Sequence, residues 1–227
     1  MYQDKDGQTG VDYPEPMVSI PLKVTMNAST VVIMINAIGT VTLDSETAIN
    51  EALEAYNALS DAEKAKVTNL DTLTAAQEAL SQCKADKVAA ETVSAQILAI
   101  AETPNLITLD NEADVEAAKA AFNALSAGAK SYFTANCASA RGFLNMAIQI
   151  INSKKAGITA AEKAINAIGT PITIESEAAI LDARAKYDKL ADDQKARISE
   201  ETLKILTDAE AALEQLKEDN EFVYAVV

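Results

Sequence analysis

Residues 35–49 have the sequence INAIGTVTLDSETAI, which is repeated about 130 residues later as INAIGTPITIESEAAI at residues 165–180. A weaker copy, ITLDNE, lies between them, so that Asp44, Asp110 and Glu175 stand 66 and 65 residues apart. An aromatic residue follows each acid after twelve positions, and a leucine comes three positions later. Self-similarity over a long period indicates a repeat architecture, here with three copies of one unit.

Apolar residues follow each acid with the alternating three- and four-residue spacing of a helix that buries one face. They are Ile49, Ala52, Tyr56 and Leu59 in the first copy, Val115, Ala118, Phe122 and Leu125 in the second, and Ile180, Ala183, Tyr187 and Leu190 in the third. The acid and the polar residue beside it stand where a helix N-terminus favours side-chain acceptors and negative charge. Each copy is therefore predicted to hold one amphipathic helix that starts at the acid.

Two further helices are predicted around this one. Gly39 and Gly169 are expected to end a helix before the acid, as glycines at helix C-termini do. Ser60 and Glu63 have the spacing of a capping box, which predicts a short helical turn in the first copy. A third helix follows, with the apolar stripe Leu70, Leu73, Ala76, Leu80 and Cys83. Three amphipathic helices can bury their stripes against one another, so each copy is expected to form a three-helix bundle.

The copies are expected to share helices. No Gly or Pro occurs from Asp71 to Glu102, so the last helix of the first copy is predicted to continue as the first helix of the second. The same holds for residues 139–168, where Gly142 and Gly157 each cost about 1 kcal/mol against alanine. The predicted fold class is all-α, with tandem three-helix bundles in an elongated, spectrin-like rod. Its segments are an extended N-terminal segment or linker (1–27), three helical repeats (28–83, 84–147 and 148–218) and an extended C-terminal tail (219–227).

The two ends differ from the repeats. Residues 18–26 alternate between apolar and other side chains as a strand does, and Pro21 would confine such a strand to an edge. The apolar run at 222–227 could pair with it or dock on the bundle. The alternative interpretation is that each end is a linker to a neighbouring domain of a longer chain.

The two cysteines allow two interpretations. Cys83 lies on the stripe of a predicted helix and Cys137 aligns with Leu70, which is typical of buried thiols that act as small apolar side chains. The repeat also places both residues at the same end of the second bundle, so a disulfide between Cys83 and Cys137 is geometrically possible. Such a bond would imply an oxidising compartment.

No catalytic, cofactor-binding or metal-binding residue is predicted, and we do not expect an enzyme. The chain has no histidine, no CxxC pair, no Gly-rich phosphate loop and no GxSxG motif. Its acidic pairs stand at predicted helix starts, where capping accounts for them. The aromatics at the stripe positions are expected to be core residues, not a platform for sugars. The net charge of −15 disfavours nucleic acid as a partner, and no apolar run of about 18 residues exists to enter a membrane.

The pattern GTVTLDSETAI followed by AYNALSDAEKA resembles the tandem FIVAR-like three-helix repeat modules of Gram-positive bacterial surface and secreted proteins. The resemblance extends over about residues 30–217 and is weaker in the second copy. It implies an extracellular, cell-wall-associated location and a role as a structural spacer or stalk in a surface protein or adhesin. It carries no functional residue with it.

Two alternative functions stay open. One is an accessory region of a carbohydrate-active enzyme. The other is a protein-binding module for a host or cell-surface protein, of the immunoglobulin- or albumin-binding type, and the second copy is the candidate because Tyr132, Phe133, Phe143 and Met146 cluster there. Exposed aromatics of this kind would mark a binding surface. The competing interpretation is that they fill the core of a copy that has lost its cap.

Overall fold

A computed structural model describes residues 26–225, and side chains from 26 to 220. Within that range all regular structure is helical, and the predicted all-α class is confirmed for it. The α-helices are α1 (Ala28–Ala37), α2 (Glu46–Asn57), α3 (Asp61–Lys64), α4 (Leu70–Leu98), α5 (Glu112–Ala124), α6 (Ala127–Asn136), α7 (Ala138–Asn166), α8 (Glu177–Asp188), α9 (Asp192–Lys195) and α10 (Glu200–Ala225). Single 3-10 turns occupy Leu43–Ser45, Pro104–Leu106, Leu109–Asn111 and Ile174–Ser176. None of the described helices is long and apolar enough to cross a membrane.

The repeated motif starts a helix in the same way in all three copies. A threonine in extended conformation is followed by a 3-10 turn that contains the acid, and α2, α5 or α8 then begins. The side chain three residues after the threonine accepts a hydrogen bond from the threonine N–H at 3.0, 3.0 and 3.1 Å. The threonines are Thr42, Thr108 and Thr173, and the acceptors are Ser45, Asn111 and Ser176. The predicted starts of these helices are therefore correct. The capping hydrogen bond joins the threonine before the acid to the residue after it.

The two glycines behave differently. Gly39 follows the end of α1 with φ of +62°, the left-handed conformation that a glycine at a helix C-terminus adopts without steric cost. The prediction is confirmed there. Gly169 also follows the end of a helix, α7, but it does not have a positive φ.

The chain divides into two compact units, Met1–Leu80 and Ser81–Val227. In the first unit, α1, α2 and the start of α4 supply the core. Its buried residues are Val31, Ile35, Ile49, Ala52, Ala55, Leu59, Leu73, Ala76 and Leu80. The predicted stripe of α2 is confirmed at Ile49, Ala52 and Leu59, and that of α4 at Leu73, Ala76 and Leu80. Leu70 is partly buried, and Cys83 is half-buried and belongs to none of the described core clusters. Tyr56 lies partly buried at the edge of this core.

The second unit contains the second and third copies. Its largest core cluster draws on α4, α5, α6 and the first half of α7, and includes Ala90, Val93, Val115, Ala118 and Ile151. The later part of α7 packs with α8 and α10, where Ile165, Ile180 and Leu206 are buried. A smaller cluster joins Ala161 of α7 to Leu190 and Ile198. The stripe residues again face the core, with Phe122, Leu125 and Tyr187 at its margin.

Two of the described helices, α4 and α7, are long and unbroken. Helices α4 and α7 each contain 29 residues, which corresponds to a length of about 43 Å. Helix α7 carries buried residues of the large core cluster in its first half and of the later clusters in its second half. The prediction of continuous helices is confirmed at both positions.

The predicted ends of the chain have different outcomes. The N-terminal segment 1–27 lies outside the described residues, apart from its last two positions. The extended tail predicted for 219–227 is wrong over its described part, because α10 continues to Ala225. No glycine or proline stands between Glu200 and Ala225 to end the helix, and the apolar run continues it. The division into three helical repeats stays a prediction.

Candidate functional site

The aromatic residues singled out in the second copy do not form an exposed patch. Phe133 has no accessible surface and Phe143 is 8% exposed, because α6 and α7 turn both rings into the core. Phe133 meets Phe122 edge to face, with ring centroids 5.1 Å apart. A side chain without accessible surface cannot contact a partner, so the prediction of a binding patch that includes Phe133 and Phe143 is wrong. The competing interpretation as core residues is confirmed for both.

Tyr132 lies between core and surface. Its ring packs against the core cluster and its hydroxyl donates a hydrogen bond to Oε1 of Glu91 at 3.0 Å. Partial burial and the neighbouring Glu91 carboxylate both raise the pKa of the Tyr132 phenol above its ordinary value. Met146 is exposed, but it has no exposed aromatic partner among the residues named with it. Tyr132 therefore acts as a tether between α6 and α4.

Both cysteines are free thiols in the structure. Cys137 is buried where α6 meets α7, and Cys83 is half-buried on α4. The apolar surroundings of Cys137 agree with the interpretation as a small core side chain. The disulfide between Cys83 and Cys137 stays a prediction.

A polar contact within the second unit connects residues that are far apart in the sequence. Both carboxylate oxygens of Asp193, on α9, accept hydrogen bonds from Nζ of Lys154 on α7 at 2.9 Å. The Oδ2 atom also accepts from the Leu109 N–H at 2.9 Å. The Lys154 and Asp193 side chains are only 20% and 14% exposed. One carboxylate therefore joins α9 of the third copy to α7 and to the 3-10 turn of the second copy.

The protonation of Asp193 reflects this environment. Burial by itself would raise the pKa of the Asp193 carboxyl. The hydrogen bonds from Lys154 and from the Leu109 N–H outweigh burial, and they hold that pKa below its ordinary value. Asp193 is therefore ionised in this contact.

Two neighbouring side chains complete the contact. Gln194 is a buried polar residue, and its Oε1 accepts from the Ala191 N–H at 3.0 Å while its Nε2 donates to the Lys154 carbonyl at 2.8 Å. Arg197 forms an ion pair with Asp110 at 3.2 Å. We call Lys154, Asp193, Gln194 and Arg197, with Leu109 and Asp110, the junction cluster.

Gly157 is part of the same packing. A Cβ atom at this position would lie 2.8 Å from Nε2 of Gln194 and 3.4 Å from a methyl carbon of Leu190. Nothing lies within 4 Å of the corresponding point at Gly142, on the same helix. The absence of a side chain at Gly157 therefore lets α9 approach α7 closely enough for Gln194 to reach the helix backbone.

In the first copy the equivalent short turn has another partner. Ser60 accepts from the Glu63 N–H at 3.4 Å, which is one half of the predicted capping box. The Glu63 carboxylate does not return to Ser60, and accepts instead from the Ala28 N–H at 3.0 Å. This part of the prediction is wrong because Ala28 begins α1, where backbone donors without helical partners attract a carboxylate. The hydrogen bonds from Lys66 and Ala28 lower the pKa of Glu63.

The stripe aromatics of the three copies also differ in what covers them. Nζ of Lys64 lies 5.7 Å from the centre of the Tyr56 ring. Nζ of Lys195 lies 5.6 Å from the centre of the Tyr187 ring, and Cζ of Arg184 lies 5.4 Å from it. In the second copy the equivalent lysine, Lys130, donates to the Asn123 carbonyl at 2.6 Å.

The Phe122 ring lines an open groove of about 290 Å³ between α5, α6 and α7. Ile148 and the largely buried Leu144 line the remainder of its base, the buried Phe133 lies beneath, and Lys119 and Arg141 stand at its rim. We call this cavity the α5–α7 groove. It is a place where a small apolar group could be held next to positive charge.

No group of three or more His, Cys, Asp or Glu side chains suited to a metal ion occurs among the described residues. Comparison of the chain with protein-family models, with curated proteins and with solved structures finds no match.

The junction cluster was missed at the sequence level. Asp192 and Asp193 form one of the acidic pairs at predicted helix starts, where capping accounts for both, and nothing local in the sequence distinguishes the two. The available signal was the combination of Gly157 inside a predicted helix with the polar ADDQ turn about 35 residues later. A glycine in a helix interior suggests a close approach of another element.

Proposed function

We propose that this chain is a non-catalytic spacer made of tandem three-helix repeats, and that it separates or joins other domains of an extracellular bacterial surface protein. The observation that carries the proposal is helix α7. It supplies buried residues to the core of the second copy and, further along, to the cores of the third. Two neighbouring copies that share one helix cannot move independently without breaking its backbone hydrogen bonds.

The junction cluster supports the same role. Linked domains are expected to move relative to each other unless their interface is substantial. Here the continuity of α7 is reinforced by Asp193, whose carboxylate contacts α7 and the turn at Leu109 together. A side chain that holds three elements in one arrangement favours a fixed orientation of the third copy on the second.

The proposed location rests on the resemblance to FIVAR-like modules and on the charge of the chain. The net charge of −15 favours solubility and discourages self-association. Both properties suit a segment that holds a neighbouring domain away from a cell wall.

Small-angle X-ray scattering tests the spacer directly. A compact domain of this length has a radius of gyration of about 17 Å, and a chain of repeats in a row is expected to exceed that value clearly. A radius near 17 Å in the monomeric protein would contradict the proposal.

Two variants of α7 sharpen the test. Ala156→Pro interrupts the helix next to the junction cluster and is expected to broaden the distribution of interatomic distances, because proline removes a helix hydrogen bond. Ala156→Ser keeps the helix and serves as the matched control. Equal scattering from the two variants would show that the continuity of α7 does not hold the repeats in place.

Protein binding is a second candidate function. The α5–α7 groove favours it, since it combines an apolar base with two cationic side chains in a strongly acidic chain.

A further inference from the structure

The second copy differs from the other two in leaving its stripe aromatic without a cation above it. Tyr56 and Tyr187 are each covered by the lysine of the following short turn, Lys64 or Lys195. Such contacts are worth about 0.5–1 kcal/mol at exposed sites, and they also exclude other groups from the ring face. No cation of the described part of the chain covers Phe122 in this way, and its ring lines the α5–α7 groove instead.

Two further differences accompany the open ring in this copy. The short turns α3 and α9 contain four residues each, whereas α6 contains ten and inserts Phe133 beneath the groove. Lys130 stands inside α6, and its ammonium group is held by the Asn123 carbonyl at the end of α5. A cation at the C-terminal end of a helix is favoured there by the unpaired carbonyl groups and by the helix dipole. The lysine that would cover the ring is therefore engaged elsewhere.

The rim of the groove has the charge opposite to that of the chain as a whole. Nζ of Lys119 forms an ion pair with Oε2 of Glu116 at 3.4 Å. Arg141 is exposed and has no ion-pair partner among the described residues, whereas Arg184 and Arg197 are paired with Glu210 and Asp110. The guanidinium group of an arginine without an ion-pair partner can bind a carboxylate with two parallel hydrogen bonds.

We propose that the α5–α7 groove binds a segment of a protein partner that presents one large apolar side chain next to a carboxylate. The apolar side chain lies on Phe122 and Ile148, which are partly exposed, and the carboxylate meets Arg141. The volume of about 290 Å³ is at the lower end of small-molecule sites, which suits one side chain and not a cofactor. A partner of net positive charge at this point would be repelled by Lys119 and Arg141.

Nuclear magnetic resonance titration of the ¹⁵N-labelled protein with three capped peptides tests the proposal. Ac-Asp-Phe-Asp-NH₂ contains both features, Ac-Asp-Ala-Asp-NH₂ lacks the apolar group and Ac-Lys-Phe-Lys-NH₂ reverses the charge. The first peptide is expected to bind weakly, with a dissociation constant on the order of 1 mM, and to shift the amides around Phe122 and Arg141. The other two are expected to bind at least about ten times more weakly.

Charge reversal at the rim separates this site from general attraction to the surface. Arg141→Glu is expected to invert the preference between the Asp-Phe-Asp and Lys-Phe-Lys peptides. Lys163→Glu makes the same change in charge at an exposed position of the same helix, away from the groove, and is expected to leave the preference unchanged. Arg141 is exposed and takes no part in the core, and the amide spectrum of each variant verifies the fold.

Three results would overturn the proposal. They are equal shifts from all three peptides, shifts that lie away from the groove, and inversion of the preference by Lys163→Glu as well as by Arg141→Glu. None of these results would bear on the spacer role, which is tested by the scattering of the free protein.

Discussion

The short turns of the second and third copies begin from corresponding positions of the repeat and have different structural roles. In the second copy the turn has become α6, which places Phe133 in the core of its own copy. In the third copy the turn is α9, whose Asp193 and Gln194 contact α7 and the turn at Leu109. The same point of a repeat can therefore add to an internal core or join two copies. Long apolar side chains at this point add to the core. Polar side chains that reach a backbone join two copies.

Phe133→Ala gives the largest expected effect and tests the core role of α6. Removal of a fully buried ring leaves a cavity and costs about 3–5 kcal/mol of unfolding free energy. Urea denaturation followed by circular dichroism measures the change. A loss below about 1 kcal/mol would mean that α6 is not part of the core and that the comparison with α9 fails.

Asp193→Asn tests the junction role of α9 and is expected to cost about 1–3 kcal/mol. The amide cannot balance the charge of Lys154, which is only 20% exposed, and it weakens the contact with the Leu109 N–H. The matched control is Asp192→Asn, an exposed residue in the same turn, which is expected to change stability by about 1 kcal/mol or less. Equal losses in the two variants, measured by urea denaturation, would reduce Asp193 to an ordinary helix-terminal acid.

Two glycine substitutions on α7 are expected to change the stability of the protein in opposite directions. Gly142→Ala meets no atom within 4 Å and should stabilise the helix by about 0.5–1 kcal/mol. Gly157→Ala gains the same helix propensity but drives Gln194 away from the Lys154 carbonyl, so we expect a net loss of about 1 kcal/mol. The thermal midpoints of the two variants report the difference. Stabilisation by both would show that α9 can move away from α7 without cost.

The smallest expected effect concerns pH. The pKa of Asp193 is lower in the folded protein than its ordinary value of 3.8, so the unfolded chain binds the proton more readily. The stability from this carboxylate is therefore fully present above about pH 4 and is lost as the pH falls through the folded pKa. Between pH 5 and pH 3 the wild type is expected to lose more unfolding free energy than Asp193→Asn. If the unfolding free energies of the two proteins fall in parallel with pH, other carboxylates are responsible for the loss of stability in acid.

The extent to which sequence predicted this molecule differs between its elements. The positions of α2, α5 and α8 followed from a spacing of apolar residues that repeats three times, and the continuity of α4 and α7 followed from the absence of strong helix breakers. The helical end of the chain was missed because an apolar run of six residues suits either a strand or a helix. An exposed patch around Phe133 was one of two interpretations, and the sequence could not decide between them, since apolar residues next to a lost cap do not show in sequence which way they face.

Local sequence by itself determined the helical class, the repeat and most of the buried stripes, because these depend on side chains only a few residues apart. Tertiary structure alone decided what Asp193, Gly157, Glu63 and Lys130 do. Each of the four has its role from an atom on another element, and three of these contacts span 35 residues or more. An acid in a first helical turn has the same local surroundings whether it caps its own helix or binds a backbone N–H of another. The difference comes from packing, which brings a particular backbone donor within 3.0 Å of the carboxylate.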